Sequence, residues 1–339
     1  MKARFADNKR VSIATAILLT ISILALALFS LGIGPVEISF EMLGKLLLGS
    51  SASNGPEDII VFEIRLPRTI LALLVGAGLG MSGAALQALV RNPLAEPGIL
   101  GISSTSALGA VVMFYTGHAN DFPFALALGG LVGALLSTSA LLLLALRSFS
   151  TVTLILAGVA INAFAGALTS LVLNLSPNPF AAYEIYFWLM GSFANRSLDH
   201  VWLILPFTFV GITMLYRSAS RLDAFAFGDE VAFTLGVNLR TTRILVITGT
   251  ALAVGSGVAV AGVVGFVGLV VPHLLRPLIG NQPSYLIPLS GLGGGLLTLA
   301  ADTFCRVGVA SGELKLGVVT ALLGAPFLLV LILKNKTIR

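Results

Sequence analysis

Long apolar runs alternate with short polar punctuation along this chain. The first run extends from Val11 to about Ile33. Others lie near 66–90, 98–117, 122–146, 152–175, 200–216, 244–280, 285–305 and 316–334. A helix crosses the hydrocarbon core of a bilayer in about 20 residues. The runs show no period-2 alternation, which argues against a β-barrel. Backbone groups in lipid must pair within their own segment, so each run predicts a helix. The 244–280 run is too long for one span and contains Pro272 and Pro277. Splitting it in two gives ten transmembrane helices, an all-α polytopic membrane protein forming a single domain over 1–339.

Composition strengthens this reading. The chain is 57% hydrophobic and only 10% charged, whereas a soluble domain carries about a quarter charged residues. An even number of spans returns the basic C-terminus (Lys334, Lys336, Arg339) to the side of the basic N-terminus (Lys2, Arg4, Lys9, Arg10). Arg91, Arg147, Arg217, Arg221, Arg240, Arg243 and Arg276 join them. Lys45, Arg65, Arg68, Arg196, Arg306 and Lys315 fall on the other side, so fourteen of the 20 Lys and Arg residues share one face. The positive-inside rule then makes both termini cytoplasmic. Basic residues spread between apolar runs act as orientation signals, and no nucleic-acid partner is expected. The first run has a rival reading as a signal peptide, but it is longer than such a core and lacks a convincing A-x-A site after it. An uncleaved first span is preferred.

Chemistry is sparse. One cysteine, Cys305, and three histidines make an intrachain disulfide framework impossible and a His/Cys metal site improbable. No G-x-x-x-x-G-K-[ST], G-x-S-x-G or H-E-x-x-H occurs, so the chain has no P-loop and no recognisable hydrolase centre. It is not expected to be an enzyme or to hold a cofactor. Within the spans, Asp302 and Arg306 stand four residues apart on one helix face, an ion pair in the simplest reading. Ion-coupled carriers usually need carboxylates or histidines near mid-membrane, so the energy of transport is expected to enter from elsewhere.

Two further patterns matter. With an offset of 179, Gly76, Gly78, Gly83, Pro93 and Gly101 fall on Gly255, Gly257, Gly262, Pro272 and Gly280. The two copies, about 64–175 and 243–334, start on opposite sides, which makes an inverted-topology repeat of the kind that places a pathway at the repeat interface. Ordinary close packing of helices is the competing explanation for any single glycine. The second pattern is the interior loop 217–240. Its Leu222, Phe225, Phe227, Val231, Phe233 and Leu235 are more apolar than a free loop needs. Such a segment either lies on the membrane surface or docks into a partner's groove.

Several long motifs occur in one order: Ile64-Arg-Leu-Pro-Arg-Thr, Ser82-Gly-Ala-Ala-Leu-Gln87, Arg91-Asn-Pro-Leu-Ala-Glu-Pro-Gly-Ile-Leu-Gly101, Leu156-Ala-Gly-Val159, Phe227-Gly-Asp-Glu230, Gly265-Phe-Val-Gly-Leu-Val-Val-Pro-His273, Ala301-Asp302 and Gly317-Val-Val-Thr-Ala-Leu-Leu-Gly-Ala-Pro326. Over roughly 60–330 they resemble the FecCD-type permease family of ATP-binding-cassette (ABC) importers for siderophores, haem and vitamin B12. The resemblance implies the type II ABC importer permease fold, a homodimer in the bacterial inner membrane, two cytoplasmic ATPase subunits that bind ATP and Mg, and a periplasmic or lipid-anchored binding protein. It implies import of a ferric siderophore or similar chelate, with haem and vitamin B12 as alternatives. An ion-coupled secondary carrier and a membrane enzyme are the rivals from other classes.

The same resemblance implies residue roles. Arg65 and Arg306 match outer-face arginines that meet binding-protein glutamates; Arg306 pairing only with Asp302, and Arg65 and Arg68 as interfacial anchors, are the bland alternatives. Leu94, Ser150 and Thr151 match positions that close the cytoplasmic end of the pathway, although Asn92-Pro93 and Ser150 or Thr151 also read as turn and cap chemistry. Gly228, Asp229, Glu230, Leu235 and Gly236 match the loop that couples to the ATPase. His273 reads as structural, Tyr183 and Tyr186 as interfacial belt residues, and Asn162 as pathway-facing or bonded between helices. Lys315 stands where the family often has proline, which leaves any docking role of Glu313 open.

Overall fold

The computed structural model describes residues 2–48, 55–118, 122, 124–147, 151–176, 179–307 and 313–336. Its helices are α1 (Lys2–Gly32), α2 (Phe40–Leu47), α3 (Pro56–Asp58), α4 (Leu66–Val90), α5 (Ile102–Tyr115), α6 (Ala125–Arg147), α7 (Thr151–Asn174), α8 (Pro179–Leu189), α9 (Leu198–Phe225), α10 (Asp229–Thr234), α11 (Leu239–Ala261), α12 (Val267–Ile279), α13 (Pro283–Val307) and α14 (Leu316–Lys336). Among the described residues there is no strand. A π-helical stretch, Ile59–Arg65, joins α3 to α4 without interruption. The seven helical segments long and apolar enough to cross a membrane contain α1, α4, α6, α7, α9, α11 and α13, and α5, α12 and α14 supply three shorter apolar helices. These are the ten expected spans.

The long run at 244–280 breaks at Gly262–Phe266, while Pro272 and Pro277 both sit inside α12. Gly262 (φ 73°) and Phe266 (φ 65°) take left-handed backbone there. The carbonyls exposed by the break are satisfied from the 189–197 segment: Ser192 N–H donates to Ala261 O at 2.7 Å and Arg196 Nε to Val260 O at 2.7 Å. Burial lowers the Arg196 pKa. Pro272 lacks the N–H that would reach Gly268 O. The Gln87 side chain takes its place, donating from Nε2 to that carbonyl at 3.2 Å. A proline inside a buried helix is thus tolerated because a neighbour replaces the missing donor.

The repeat is visible in the order of elements. Helices α4, α5, α6 and α7 have 25, 14, 23 and 24 residues, and α11, α12, α13 and α14 have 23, 13, 25 and 21. Both short helices open on a left-handed residue, Gly101 in one half and Phe266 in the other. Packing is reciprocal. Gly76 of α4 lies against Gly294 and Thr298 of α13, and Gly255 of α11 lies against Ala134 of α6. Gly78 faces Ala253, and Gly257 faces Val75. Four spans, then α9 crossing alone, start the second half on the opposite side from the first, so the repeat is inverted. The uniform offset of 179 holds only across α4 and α11. Beyond them Gly101, which precedes α5, corresponds to Phe266 rather than Gly280, because the link from α4 to α5 is longer than the one from α11 to α12.

The segment 217–240 is mostly helical rather than a loop. Helix α9 runs to Phe225, burying Leu222 and Phe225, and α10 and the start of α11 take up much of the rest. Helix α1, by contrast, presents exposed Ile17, Leu18, Ile21 and Leu24, the surface of a span facing lipid.

Candidate functional site

At the start of α4, Arg68 is buried between two carboxylates. Its Nε lies 3.0 Å from both oxygens of Asp302, and its Nη1 lies 2.9 Å from Glu313. Asp302 also receives Arg306 at 3.1 Å across one helical turn, the predicted ion pair. Arg306 donates further to the Ser30 carbonyl at 3.0 Å and to the Ser30 hydroxyl. Arg65 is buried as well and gives its Nη1 to Leu31 O at 2.7 Å and its Nη2 to Val36 O. These arginines tie α1, α4 and α13 together. A cleft of about 690 Å³ opens beside Arg306, bordered by Phe29, Glu37 and Phe40. The expected outer-face pair, Arg65 and Arg306, is therefore brought to one region, with both guanidinia already engaged inside the chain. Arg68 and Glu313 were not singled out as partners because 245 residues separate them. Lys315 places its ammonium 5.5 Å from the centre of the Phe187 ring, a contact that a proline there would lack.

The other end of α4 closes on Arg91, a left-handed cap with φ 53°. Arg91 pairs with Asp229, the first residue of α10, and Arg243 of α11 holds the second oxygen of the same carboxylate. Gly228 (φ 103°) and Gly236 (φ 82°) bracket α10 in backbone that favours glycine. Glu230 and Leu235 are exposed, as are Phe227, Val231 and Phe233, with Phe233 70% exposed. Beside them lies a cleft of about 760 Å³ lined by Phe233, Leu239, Arg240 and Arg243. The expected coupling residues thus form one surface, within which the half-buried Asp229 carboxylate is engaged by Arg91 and Arg243.

Leu94 is partly buried in the turn between α4 and α5. Its N–H donates to Asn92 Oδ1 at 2.9 Å, so the turn chemistry read from Asn92-Pro93 is present. Ser150 lies outside the described residues, and Thr151 opens α7. A 3-10 turn, Pro97–Leu100, carries the chain from Leu94 onto α7: a Cβ on Gly158 would sit 2.5 Å from Ile99 O, and one on Gly101 would sit 3.0 Å from Asn162 N. Burial pushes the Glu96 carboxyl above the ordinary carboxylate range, and a hydrogen bond from the Phe266 N–H pulls it partly back. The Phe266 ring in turn packs on Gly324 of α14.

Helix α7 bears Asn162, Gly166, Ser170 and Asn174 on one exposed face at a spacing of four. Asn162 bonds to Ser104 of α5. Small and polar residues repeated on an uncovered face of a membrane helix are costly against lipid and suit a helix that faces water or a partner. Among the described residues, no group of His, Cys, Asp or Glu is arranged to hold a metal ion. His273 packs edge-on against Phe327 at 5.6 Å, a structural setting.

Comparison with known proteins agrees with this architecture. Residues 21–334 match the model of the FecCD transport family. The vitamin B12 import system permease protein BtuC of Salmonella typhimurium (strain LT2) is 40% identical over 278 residues, covering 82% of this chain and 85% of that protein. BtuC of Salmonella paratyphi A matches to the same extent. Among solved structures, a metal-chelate type ABC transporter in an inward-facing conformation superposes with a TM-score of 0.83 and 32% identity, covering 94% of this chain and 98% of that one. PsaBC from Streptococcus pneumoniae shares the fold alone, with a TM-score of 0.53 and 15% identity over 85% of this chain and 95% of that one. With seven membrane-length helices, three shorter apolar ones, a repeated half and a family match over nearly its whole length, the chain belongs to the FecCD transport family of membrane permeases.

Proposed function

We propose that this chain is the permease subunit of an ATP-driven importer for a ferric siderophore or similar bulky metal chelate. The observation that carries the reading is the exposed apolar face formed by α10 (Val231, Phe233) and its flanking residues Phe227 and Leu235 beside a basic cleft. Such a surface suits a soluble partner, and an ATPase subunit is the partner that supplies the energy. Both termini and α10 then lie on the cytoplasmic side of the inner membrane, in keeping with the excess of Arg and Lys there. Two copies face each other through α7, enclosing a pathway lined by Asn162, Gly166, Ser170 and Asn174, with Leu94, Ser150 and Thr151 at its cytoplasmic end. Two ATPase subunits dock at Gly228–Gly236 and bind the ATP and Mg. A binding protein docks on the opposite face at Arg65 and Arg306. Its carboxylates compete there with the Leu31 and Val36 carbonyls and with Asp302 for the guanidinium donors. Asp302 is held by two arginines, which fits poorly with a proton- or sodium-binding carboxylate in a secondary carrier.

Vitamin B12 is the second reading, favoured by the 40% identity to vitamin B12 import permeases. Mass spectrometry of the ligand retained by the cognate binding protein decides between them: a ferric chelate supports the first, a corrinoid the second, and an uncomplexed ion or sugar overturns both. Phe233→Asp with Leu235→Asp is expected to abolish ATPase co-purification while leaving the melting temperature nearly unchanged. Retained ATPase would sink the assignment of α10.

A further inference from the structure

The geometry points to Asp229 and Arg91 as a positioning pair that transmits ATPase-driven movement of α10 to the pathway gate. This rests on the reading of α10 as the ATPase-facing helix. One residue expected to serve the ATPase surface is already engaged within the chain: the Asp229 carboxylate is bound by Arg91 on one oxygen and by Arg243 on the other. Arg91 is the last residue before the turn that carries Leu94, and its Nη1 lies 3.7 Å from where a Gly228 Cβ would stand. A displacement of α10 therefore pulls directly on the first residue of the 91–100 segment.

That segment has a fixed far end. Pro97–Leu100 rests on α7 with backbone against backbone at Gly158. Pulled at Arg91 and held at Pro97–Leu100, the turn bearing Leu94 lies between a movable and a fixed point. Helix α4 itself is anchored separately, because Gln87 accepts from Arg276 Nη2 at 2.5 Å and donates to Gly268 O. The side chains set the contrast. Arg91 and Asp229 are 40% and 31% exposed, so water screens them and their pairing is exchangeable.

The test uses the full chain assembled with its ATPase in a bilayer disc, carrying Leu94→Cys in a Cys305→Ala background. The maleimide reaction rate at position 94 is compared without nucleotide and with ATP plus vanadate. With Arg91 present, the two rates are expected to differ by about tenfold, within the usual range of coupling between sites. Arg91→Gln is expected to retain the ATPase and its hydrolysis while the two rates become equal. Arg91→Lys, equally disfavoured at this left-handed position, keeps the cation and is expected to restore most of the difference. A rate difference that persists in Arg91→Gln overturns the proposal. So does loss of the ATPase from Arg91→Gln, which would make Arg91 part of the docking surface. Absence of the ATPase from the chain that still has Arg91 would remove the underlying reading of α10 instead.

Discussion

At one end of α4, Arg68 sits 7% exposed between Asp302 and Glu313, with Arg306 closing the cluster. At the other, Arg91 is 40% exposed and shares Asp229 with Arg243. Each end bridges helices with arginine and carboxylate, yet the surroundings differ in what they allow. In the buried cluster, each charge removed from water depends on its partners, and opening one pair strands the others. In the exposed one, water substitutes for whichever partner leaves, and the net strength of a pair is small. The first arrangement suits a joint that holds while the molecule works. The second suits a joint that moves.

The sharpest way to break this comparison is to remove one carboxylate from each end. Asp302→Ala is expected to cost about 3–5 kcal/mol, because it leaves Arg68 and Arg306 short of a buried partner. Asp229→Ala is expected to cost about 1 kcal/mol or less. Thermal melting in detergent measures both, and equal losses would erase the distinction. Gly83→Val comes next. Its Cβ would overlap the Gly268 carbonyl of α12, and overpacking typically costs about 1–3 kcal/mol. That result would locate the looseness near Arg91 in side chains rather than in the helices; a neutral melting curve would show that α4 and α12 slide.

Glu96 supplies the last probe. Glu96→Ala is expected to destabilise by about 0.5–1.5 kcal/mol by removing the hydrogen bond from the Phe266 N–H, and Glu96→Gln is expected to be nearly neutral because its amide oxygen replaces that acceptor. The pH dependence has a definite sign. A carboxyl whose folded pKa is raised favours the folded state when protonated, so its cost is absent below the ordinary carboxylate range and complete above the raised value. Melting of the unmutated chain relative to Glu96→Gln should therefore improve as pH falls through that window. A difference that is flat in pH would show that Glu96 is not buried as charge.

The spans were legible because lipid imposes a length and an apolar composition that one chain displays by itself. The Asp302–Arg306 pair was legible for a similar reason: four residues on a helix bring two side chains together. Arg68 was not, since its second carboxylate, Glu313, lies 245 residues away in the chain between α13 and α14. The helix break at Gly262–Phe266 was hidden by the more conspicuous prolines at 272 and 277. Only the Gln87 side chain, 181 residues away from Gly268, explains why Pro272 does not end the helix. The pairing of Asp229 with Arg91 and Arg243 was equally invisible, because the motif displays an acidic residue without saying what faces it.

Pro56–Val90 is one continuous helical rod of 35 residues. At 1.5 Å per residue it is about 50 Å long, against a hydrocarbon core of about 30 Å. The stretch from Arg68 to Val90 alone accounts for roughly that thickness. The dozen residues before it extend past that thickness, bearing Glu57, Asp58 and Glu63, and are braced against the end of α1 through buried Val61 and Arg65. Helix α4 and its extension thus carry a height gauge of their own: removing one turn of the extension would lower its tip by about 5 Å.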